Sequence, residues 1–262
     1  MLTNGSNVTR FRTTFRFDGW TVPLRPTTLR RMQSLISPTI QAAGVVELAT
    51  HDPGLAFHLL RLANSTGQEA GSPVHRLEEA IFFVGREEIR DLISTQDQLR
   101  HAEAIEMLGA HSRLTALLAR RMAELTGEGD PTRAYIAGLL HDLGKLALIA
   151  HGSSGSHSSV GRELATGAAL PSFMIDVISN HHRPEAAEVD AQLVCLISVA
   201  DQVARGIAET KASDRTAATD MLRSGLALFQ KSDPSAFFNC FSGMQWFPLE
   251  APNLHEIDRY QQ

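Results

Sequence analysis

Apolar residues recur three and four positions apart along most of this chain, a spacing typical of amphipathic helices. Two Asp-Pro pairs, at 52–53 and 130–131, supply an N-cap followed by proline at the first helical position. The segment 101–126 carries the same spacing and ends at Gly127, a residue favoured after a helix C-terminus. We therefore predict helices at these three places. The helix that starts after Asp130-Pro131 is predicted to run to about Ala150.

The apolar stripe of the 101–126 segment is predicted from its large aliphatic residues, Leu114, Leu117, Leu118, Met122 and Leu125. Further helices are predicted from LEEAIFFVG and REEIRDLIS, which Gly85 separates, and from LVCLISVADQVARGI. After Pro171, a common helix face is predicted for Met174, Val177, Ile178 and His181. The stretch HGSSGSHSS has the composition of a loop.

The two ends of the chain have a different pattern. Residues 10–17 alternate between basic and aromatic or polar side chains like a short strand, and strong strand signals are absent after residue 22. Near the C-terminus, aromatic residues crowd a loop-like stretch: Phe237, Phe238, Phe241, Trp246 and Phe247. They either fold back on the core or form a surface for a partner. The predicted fold class is all-α.

Composition excludes several classes of protein. The net charge of −5 over 262 residues lacks the basic excess of a nucleic-acid binder, and the pair Arg120-Arg121 fits a solvated helix face. Neither Cys195 nor Cys240 belongs to a Cys-x-x-Cys pair, and Cys195 is most simply a buried small hydrophobe. No signal peptide and no apolar run of about 20 residues occurs. We predict a cytoplasmic protein that binds neither nucleic acid nor membrane.

Histidine and aspartate occur in an order that suggests a metal site: His111, His141, Asp142, His157, His181, His182 and Asp201. Imidazole and carboxylate are the ligands of divalent ions, and side chains from several helices converge at the centre of a bundle. Adjacent His141 and Asp142 both reach such a site only if their helix passes close to it, which Gly138 and Gly144 would allow.

Each of these residues also has a simpler interpretation. His111 could be a hydrogen-bonded core histidine, Asp142 could pair only with Lys145, and His157 could be solvated in its loop. His181 and His182 could cap a helix C-terminus. Asp201 is the hardest to explain in this way, because a carboxylate in an apolar helix needs a partner. The ordered set is much less easily explained by chance than any one member.

GLLHDLGKL, residues 138–146, resembles the signature of the HD superfamily of metal-dependent phosphohydrolases. DPGLAFHLLRLANS, residues 52–65, resembles the hallmark of HDOD (HD-related output) domains, and the resemblance continues to Ile207. It implies a two-lobed helical fold with an N-terminal tail (1–22), an N-terminal helical lobe (23–100), an HD-like helical lobe (101–232) and an aromatic-rich tail (233–262).

The resemblance also implies a function. HDOD proteins are bacterial signalling modules, often linked to cyclic-di-GMP networks, and a biochemical activity is generally not assigned to them. Their HD-GYP relatives are cyclic-di-GMP phosphodiesterases with two or three metals. Carried over from those relatives, one ion would be held by His111, His141, Asp142 and Asp201. Asp142 would bridge to a second ion held by His157, His181 and His182, and Lys145 would contact a substrate phosphate.

The chain departs from the HD-GYP pattern in two places. The Gly-Tyr-Pro motif is replaced by His182-Arg183-Pro184-Glu185, and a glutamate expected four residues before His111 is Met107. We therefore expect a regulatory module that acts through protein partners without catalysis, and as the alternative a phosphohydrolase acting on a nucleotide or cyclic dinucleotide. One or two divalent ions (Fe, Mn, Zn or Mg) are expected, and an ion that only stabilises the fold is the third alternative.

Overall fold

A computed structural model describes residues 16–17, 19–35, 42–65, 72–94, 101–127 and 129–209. Predictions for the rest of the chain lie outside these residues, among them Cys240, the aromatic C-terminal stretch and most of the predicted N-terminal strand. The end of that strand is described: β1 (Arg16–Phe17) pairs antiparallel with β2 (Trp20–Thr21). Everything after β2 that the structure describes is helical or loop, so the fold is all-α as predicted.

The N-terminal lobe is formed by five helices: α1 (Pro26–Leu35), α2 (Ala42–Ala49), α3 (Pro53–Ser65), α4 (Leu77–Phe83) and α5 (Arg86–Ser94). The third of these is central, and most of its residues are buried. Asp52 starts it, as the Asp-Pro pair predicted, because one carboxylate oxygen accepts from the backbone N–H of Leu55 at 3.0 Å. The other oxygen accepts from the backbone N–H of Arg25 at 2.8 Å, which ties the entry of α1 to the start of α3.

In the described part of the C-terminal lobe, which ends at residue 209, the α-helices are α6 (Ala102–Thr126), α7 (Pro131–Leu140), α8 (Leu143–His151), α9 (His157–Gly167), α10 (Ser172–Asn180) and α11 (Ala191–Glu209). Gly127 ends α6 in the left-handed conformation, with φ of 70°, as its position predicted. Asp130 caps α7 by accepting from the N–H of Thr132 at 2.7 Å. The predicted face of α10 is buried, and Cys195 lies buried in α11.

The buried face of α6 differs from the predicted stripe. Leu117 and Leu125 are 45% and 44% exposed, whereas small residues such as Ala116 and Ala119 are fully buried. The reason is the close approach of α7: a Cβ atom added to Gly138 would lie 2.9 Å from the Cα of Ala116. Helices this close leave no room for leucine between them, so Leu117 and Leu125 lie outside the buried face, whereas Met122 is buried as predicted.

A polar contact joins the two lobes. The guanidinium group of Arg25 donates to the carboxylate of Glu106 on α6 and, at 2.7 Å, to the backbone carbonyl of His51. The same carboxylate accepts from the hydroxyl of Thr27 at 2.8 Å. Nearby, the hydroxyl of Tyr135 on α7 donates to the carbonyl of Thr50 at 2.6 Å. The first helices of the N-terminal lobe are thereby fastened to α6 and α7, which approach the candidate site.

Candidate metal centre

The structure brings all seven predicted ligand residues together between the helices of the C-terminal lobe. They come from α6, from the junction of α7 and α8, from the first turn of α9, from the end of α10 and from α11. In chain order they are His111, His141, Asp142, His157, His181, His182 and Asp201. Their donor atoms form two groups, each with all members within 4.8 Å of one another. Only Asp142 belongs to both groups, as the resemblance implied for a bridging ligand.

The carboxylate of Asp142 lies between the two groups, with one oxygen facing each. Its Oδ2 is 3.2 Å from Nε2 of His141 and 3.9 Å from Nε2 of His111. Its Oδ1 is 3.5 Å from Nε2 of His181 and 3.6 Å from Nε2 of His157. A single carboxylate therefore faces both groups of nitrogen donors, an arrangement suited to bridging two cations.

A break in the helix lets His141 and Asp142 both face the site. One helix was predicted from Pro131 to about Ala150; instead α7 ends at Leu140, and Asp142 has φ of −100° and ψ of 24°, outside the helical region. Two successive residues of a regular helix point about 100° apart, so the break is needed to bring both side chains to one centre.

Gly144 allows the next close approach. A Cβ atom at this position would lie 1.9 Å from the backbone carbonyl oxygen of His157. The suggestion that glycine removes bulk near the site is therefore confirmed. The loop predicted around His157 is wrong at its end, because Ser156 caps α9 and His157 is its first residue. His157 is buried, which excludes its solvated alternative.

Two histidines are held in one tautomer by backbone carbonyls. Nδ1 of His141 lies 2.8 Å from the carbonyl of Gly138, and Nδ1 of His181 lies 3.1 Å from that of Val177. Because a carbonyl only accepts, Nδ1 of each ring carries a proton and Nε2 faces the site. Within the described chain, these two Nε2 atoms and Oδ1 of Asp142 are buried without a hydrogen-bond partner.

The second group contains two histidines whose rings stay neutral. Burial lowers the pKa of His157 to about 3, and partial desolvation lowers the pKa of His182, which is more exposed. Their Nε2 atoms lie 3.0 Å apart, and both belong to the donor group of Asp142 Oδ1. Neutral imidazole is the form that ligates a metal, so these two rings do not have to release a proton before they bind an ion.

The first group is polarised by its carboxylates. Burial alone would lower the pKa of His141, but Asp142 and Asp201 outweigh it and raise this pKa to about 9. Burial would raise both carboxyl pKa values, but the charges of His141 and Lys145 near Asp142 keep its pKa well below the usual range. Hydrogen bonds from His111 and His141 do the same for Asp201. Asp201 is 2.9 Å from Nε2 of His111, which supplies the partner that a buried carboxylate needs.

Two cations adjoin the carboxylates. Nζ of Lys145 lies 2.9 Å from Oδ2 of Asp142, so the predicted alternative of an Asp142–Lys145 pair is present together with the histidine cluster. Arg205, which sequence reasoning missed, donates from Nε and a terminal nitrogen to both oxygens of Asp201, at 3.0 and 2.9 Å. Its four-residue spacing from Asp201 on a helix was the available signal.

Two family models match this chain. The family model for the HDOD domain matches residues 22–154, just over half of the chain. The chain belongs to the HDOD family. The family model for the HD domain matches residues 108–206, a range that contains all seven residues of the centre.

Relatives of known name are similar to about half of this HDOD protein or less. Ribonuclease Y of Oceanobacillus iheyensis is 36% identical over 126 residues, which are 47% of this chain and 23% of that protein. Ribonuclease Y of Aquifex aeolicus is 42% identical over 86 residues, 32% of this chain and 15% of that protein. The matches thus span less than a quarter of these relatives.

A solved structure shares the fold of most of the chain. The MmoQ response regulator of Methylococcus capsulatus str. Bath has a TM-score of 0.61 at 19% identity, covering 83% of this chain and 97% of that one. This likeness shows the fold alone. Among the described helices, none has the length and apolar character to cross a bilayer. The cytoplasmic location stays a prediction.

The two departures from the HD-GYP pattern have clear positions in this HDOD protein. Met107 is 40% exposed on α6, while the neighbouring Glu106 is engaged by Arg25 at the contact between lobes. In the sequence after the exposed His182, residues 184–186 form a single 3-10 turn. Neither departure removes a member of the two donor groups.

Proposed function

We propose that this HDOD protein is a metal-dependent phosphohydrolase that cleaves a phosphodiester bond of a nucleotide or cyclic dinucleotide. The observation that carries the proposal is the position of Asp142, whose two oxygens each face a separate group of histidine nitrogens. Nε2 of His181 and Oδ1 of Asp142 are buried without a hydrogen-bond partner, a cost that a bound ion would remove.

The donor set fits two divalent ions. His111, His141, Asp142 and Asp201 would hold one, and Asp142 with His157, His181 and His182 would hold the other. Five imidazoles against two carboxylates favour Fe, Zn or Mn over Mg, which prefers oxygen ligands. When bound, such ions would polarise a phosphoryl oxygen and lower the pKa of a water molecule.

The protein's own cations complete the electrostatics of the site. Lys145 is buried and spends one of its three N–H donors on Asp142, so two remain for a phosphate oxygen. Its proposed role is to hold Asp142 in place and to offset the negative charge of a bound phosphodiester. Arg205 holds both oxygens of Asp201, which orients that carboxylate toward His111 and His141.

Access to the centre is open at one side. His182 is exposed and the side chain of His111 is 18% exposed, whereas the side chains of His141 and His181 are fully covered. A substrate would therefore approach past His182 and His111. The similarity to Ribonuclease Y proteins, at 36% identity over 126 residues and 42% over 86 residues, supports phosphodiester chemistry as the reaction class.

The test is turnover of three phosphodiesters: bis(p-nitrophenyl) phosphate, cyclic di-GMP and a single-stranded RNA oligonucleotide. Each is incubated with protein purified without chelator, with Fe²⁺, Mn²⁺, Zn²⁺ or Mg²⁺ added. Asp142→Asn should lower turnover by about a hundredfold or more, since changes even behind a metal ligand cost about 10–100-fold. Asp130→Asn, at an exposed helix cap, should leave it unchanged. Absence of turnover with every ion and substrate would refute the proposal.

The second candidate is a regulatory module that acts through a protein partner without catalysis. It is favoured by an apolar surface on the N-terminal lobe, where Phe82 and Phe83 of α4 are 86% and 41% exposed. It predicts no hydrolysis in the same assay even when the protein carries metal. Turnover that Asp142→Asn abolishes would exclude this candidate. Metal content is measured by elemental mass spectrometry, and bound metal without turnover is the result expected of an ion that only stabilises the fold.

A further inference from the structure

A cleft of about 440 Å³ opens between the two lobes. Thr50 and residues 75–78 line it from the N-terminal lobe, and α6 contributes Leu117 and Arg120. Arg120 follows His111 by nine positions, about two and a half helical turns, so the two side chains leave opposite sides of α6. The cleft is therefore separate from the metal centre.

Two arginine residues from opposite lobes line the cleft. Arg76 has no carboxylate within ion-pair distance in the described ranges of the chain, and Arg120 uses its Nε for Glu124 at 3.0 Å. The terminal nitrogens of Arg120 thus stay available as donors. Glu78 also lines the cleft and partly offsets this positive charge. A guanidinium group suits a phosphate, because it presents a planar set of N–H donors to the phosphate oxygens.

The lining also contains apolar and aromatic side chains, beside polar residues such as Thr132. Leu117, which was predicted to be buried, is 45% exposed at this cleft. Ile136 forms part of the lining, and the ring of Tyr135 is held in place because its hydroxyl donates to the carbonyl of Thr50. A flat apolar group can pack on such a surface while its charged end reaches the arginines. The volume falls within the range of about 300–1,000 Å³ usual for small-molecule sites.

We propose that this interlobe cleft binds a nucleoside monophosphate, with the phosphate on Arg76 and Arg120 and the base against Leu117 and Tyr135. Because both lobes line the cleft, the ligand would hold them together in the arrangement seen here. The lining also contacts the C-terminal lobe through His75, whose ring packs edge-on against Phe173 of α10 with 5.6 Å between the ring centroids. The chain carries a second ligand site, remote from the one proposed for hydrolysis.

Isothermal titration calorimetry with AMP, GMP, CMP and UMP tests this proposal. The protein is first treated with a chelator, so that the metal centre contributes no phosphate binding and no hydrolysis. We expect at least one nucleotide to bind, and adenosine or the matching nucleoside to bind about tenfold more weakly or worse, because it lacks the charged group. Affinity should fall as salt is raised, since the side chain of Arg120 is 58% exposed.

The decisive comparison uses two sets of variants. The double variant Arg76→Gln/Arg120→Gln should weaken binding about tenfold or more, whereas Arg121→Gln should change it less than about twofold. Arg121 is the matched control, because it neighbours Arg120, is 63% exposed and also pairs with Glu124, but does not line the cleft. Unchanged melting temperatures would confirm that each variant is folded.

Two results would overturn the proposal. One is the absence of binding by all four nucleotides up to about 10 mM, where even a very weak site would be detected. The other is equal affinity in the wild-type protein and the double variant. Since no hydrolysis is measured, either result leaves the phosphohydrolase proposal untouched, and a protein without turnover can still bind a nucleotide here.

Discussion

Divalent metal should stabilise this protein against heat, and Asp142→Asn should remove most of that stabilisation. Three buried atoms, Oδ1 of Asp142 and Nε2 of His141 and His181, lack a partner in the described structure. Each unpaired buried polar group costs about 1–3 kcal/mol, so an occupant that pairs with all three can recover roughly 3–9 kcal/mol. Metal at about a hundred times its Kd stabilises the folded state by about 2.7 kcal/mol, close to the lower end of that estimate.

The expected change in melting temperature follows from this free energy. A domain of this size shifts by about 2–4 °C per kcal/mol, so saturating Mn²⁺, Fe²⁺ or Zn²⁺ should raise Tm by about 5–11 °C. The measurement is calorimetry on chelator-treated protein with and without each ion. Each variant is compared with itself without metal, so a direct effect of the substitution on folding cancels.

The variants make the measurement specific to the centre. Asp142→Asn keeps the size of the side chain but removes the charge shared by both donor groups, and its metal-induced shift should fall below about 2 °C. Asp130→Asn should keep the full shift, because asparagine caps a helix as well as aspartate does. An equal shift in Asp142→Asn, or no shift with any ion, would refute the reasoning.

Three further predictions concern the contact between the lobes, the buried carboxylate of Asp176 and the close approach of α8 to α9. Glu106→Gln should destabilise the fold by about 1–3 kcal/mol in urea unfolding, because Arg25 keeps a half-buried charge without its carboxylate. Burial alone would raise the pKa of Asp176, but backbone N–H donors of residues 188–190 outweigh it and lower this pKa. Its stabilisation should therefore be full above about pH 4 and lost as the pH falls through the folded value, so the stability difference from Asp176→Asn should shrink in acid. Gly144→Ala should cost about 3 kcal/mol or more and weaken metal binding, because its Cβ would overlap a backbone carbonyl of α9.

Matched changes at exposed positions serve as controls. Glu87→Gln removes a carboxylate whose side chain is 74% exposed in a local ion pair and should alter stability by less than about 0.5 kcal/mol. Stability of Glu106→Gln equal to that of Glu87→Gln would contradict the role of the interlobe contact. An acid-independent Asp176→Asn difference, or wild-type stability of Gly144→Ala, would contradict the other two predictions.

The chemistry of the centre and several helix ends were determined by the sequence. Asp130 and Gly127 mark a helix start and a helix end through local backbone chemistry, which needs no distant residue. The ordered histidines and aspartates, together with the motif at residues 138–146, identified all seven members of the two donor groups. Residue type sufficed there, because few side chains offer the nitrogen and oxygen atoms that a divalent ion binds.

Other features were decided only by the tertiary structure. The interruption between α7 and α8 turns His141 and Asp142 to one centre, although the apolar period continues through both. The inner face of α6 carries Ala116 in place of the predicted Leu117, because α7 lies too close for a larger side chain. The same displacement puts Leu117 in the interlobe cleft. Periodicity along one helix records which residues are apolar, but burial depends on how near a second helix comes, and that distance is set by residues far away in the sequence.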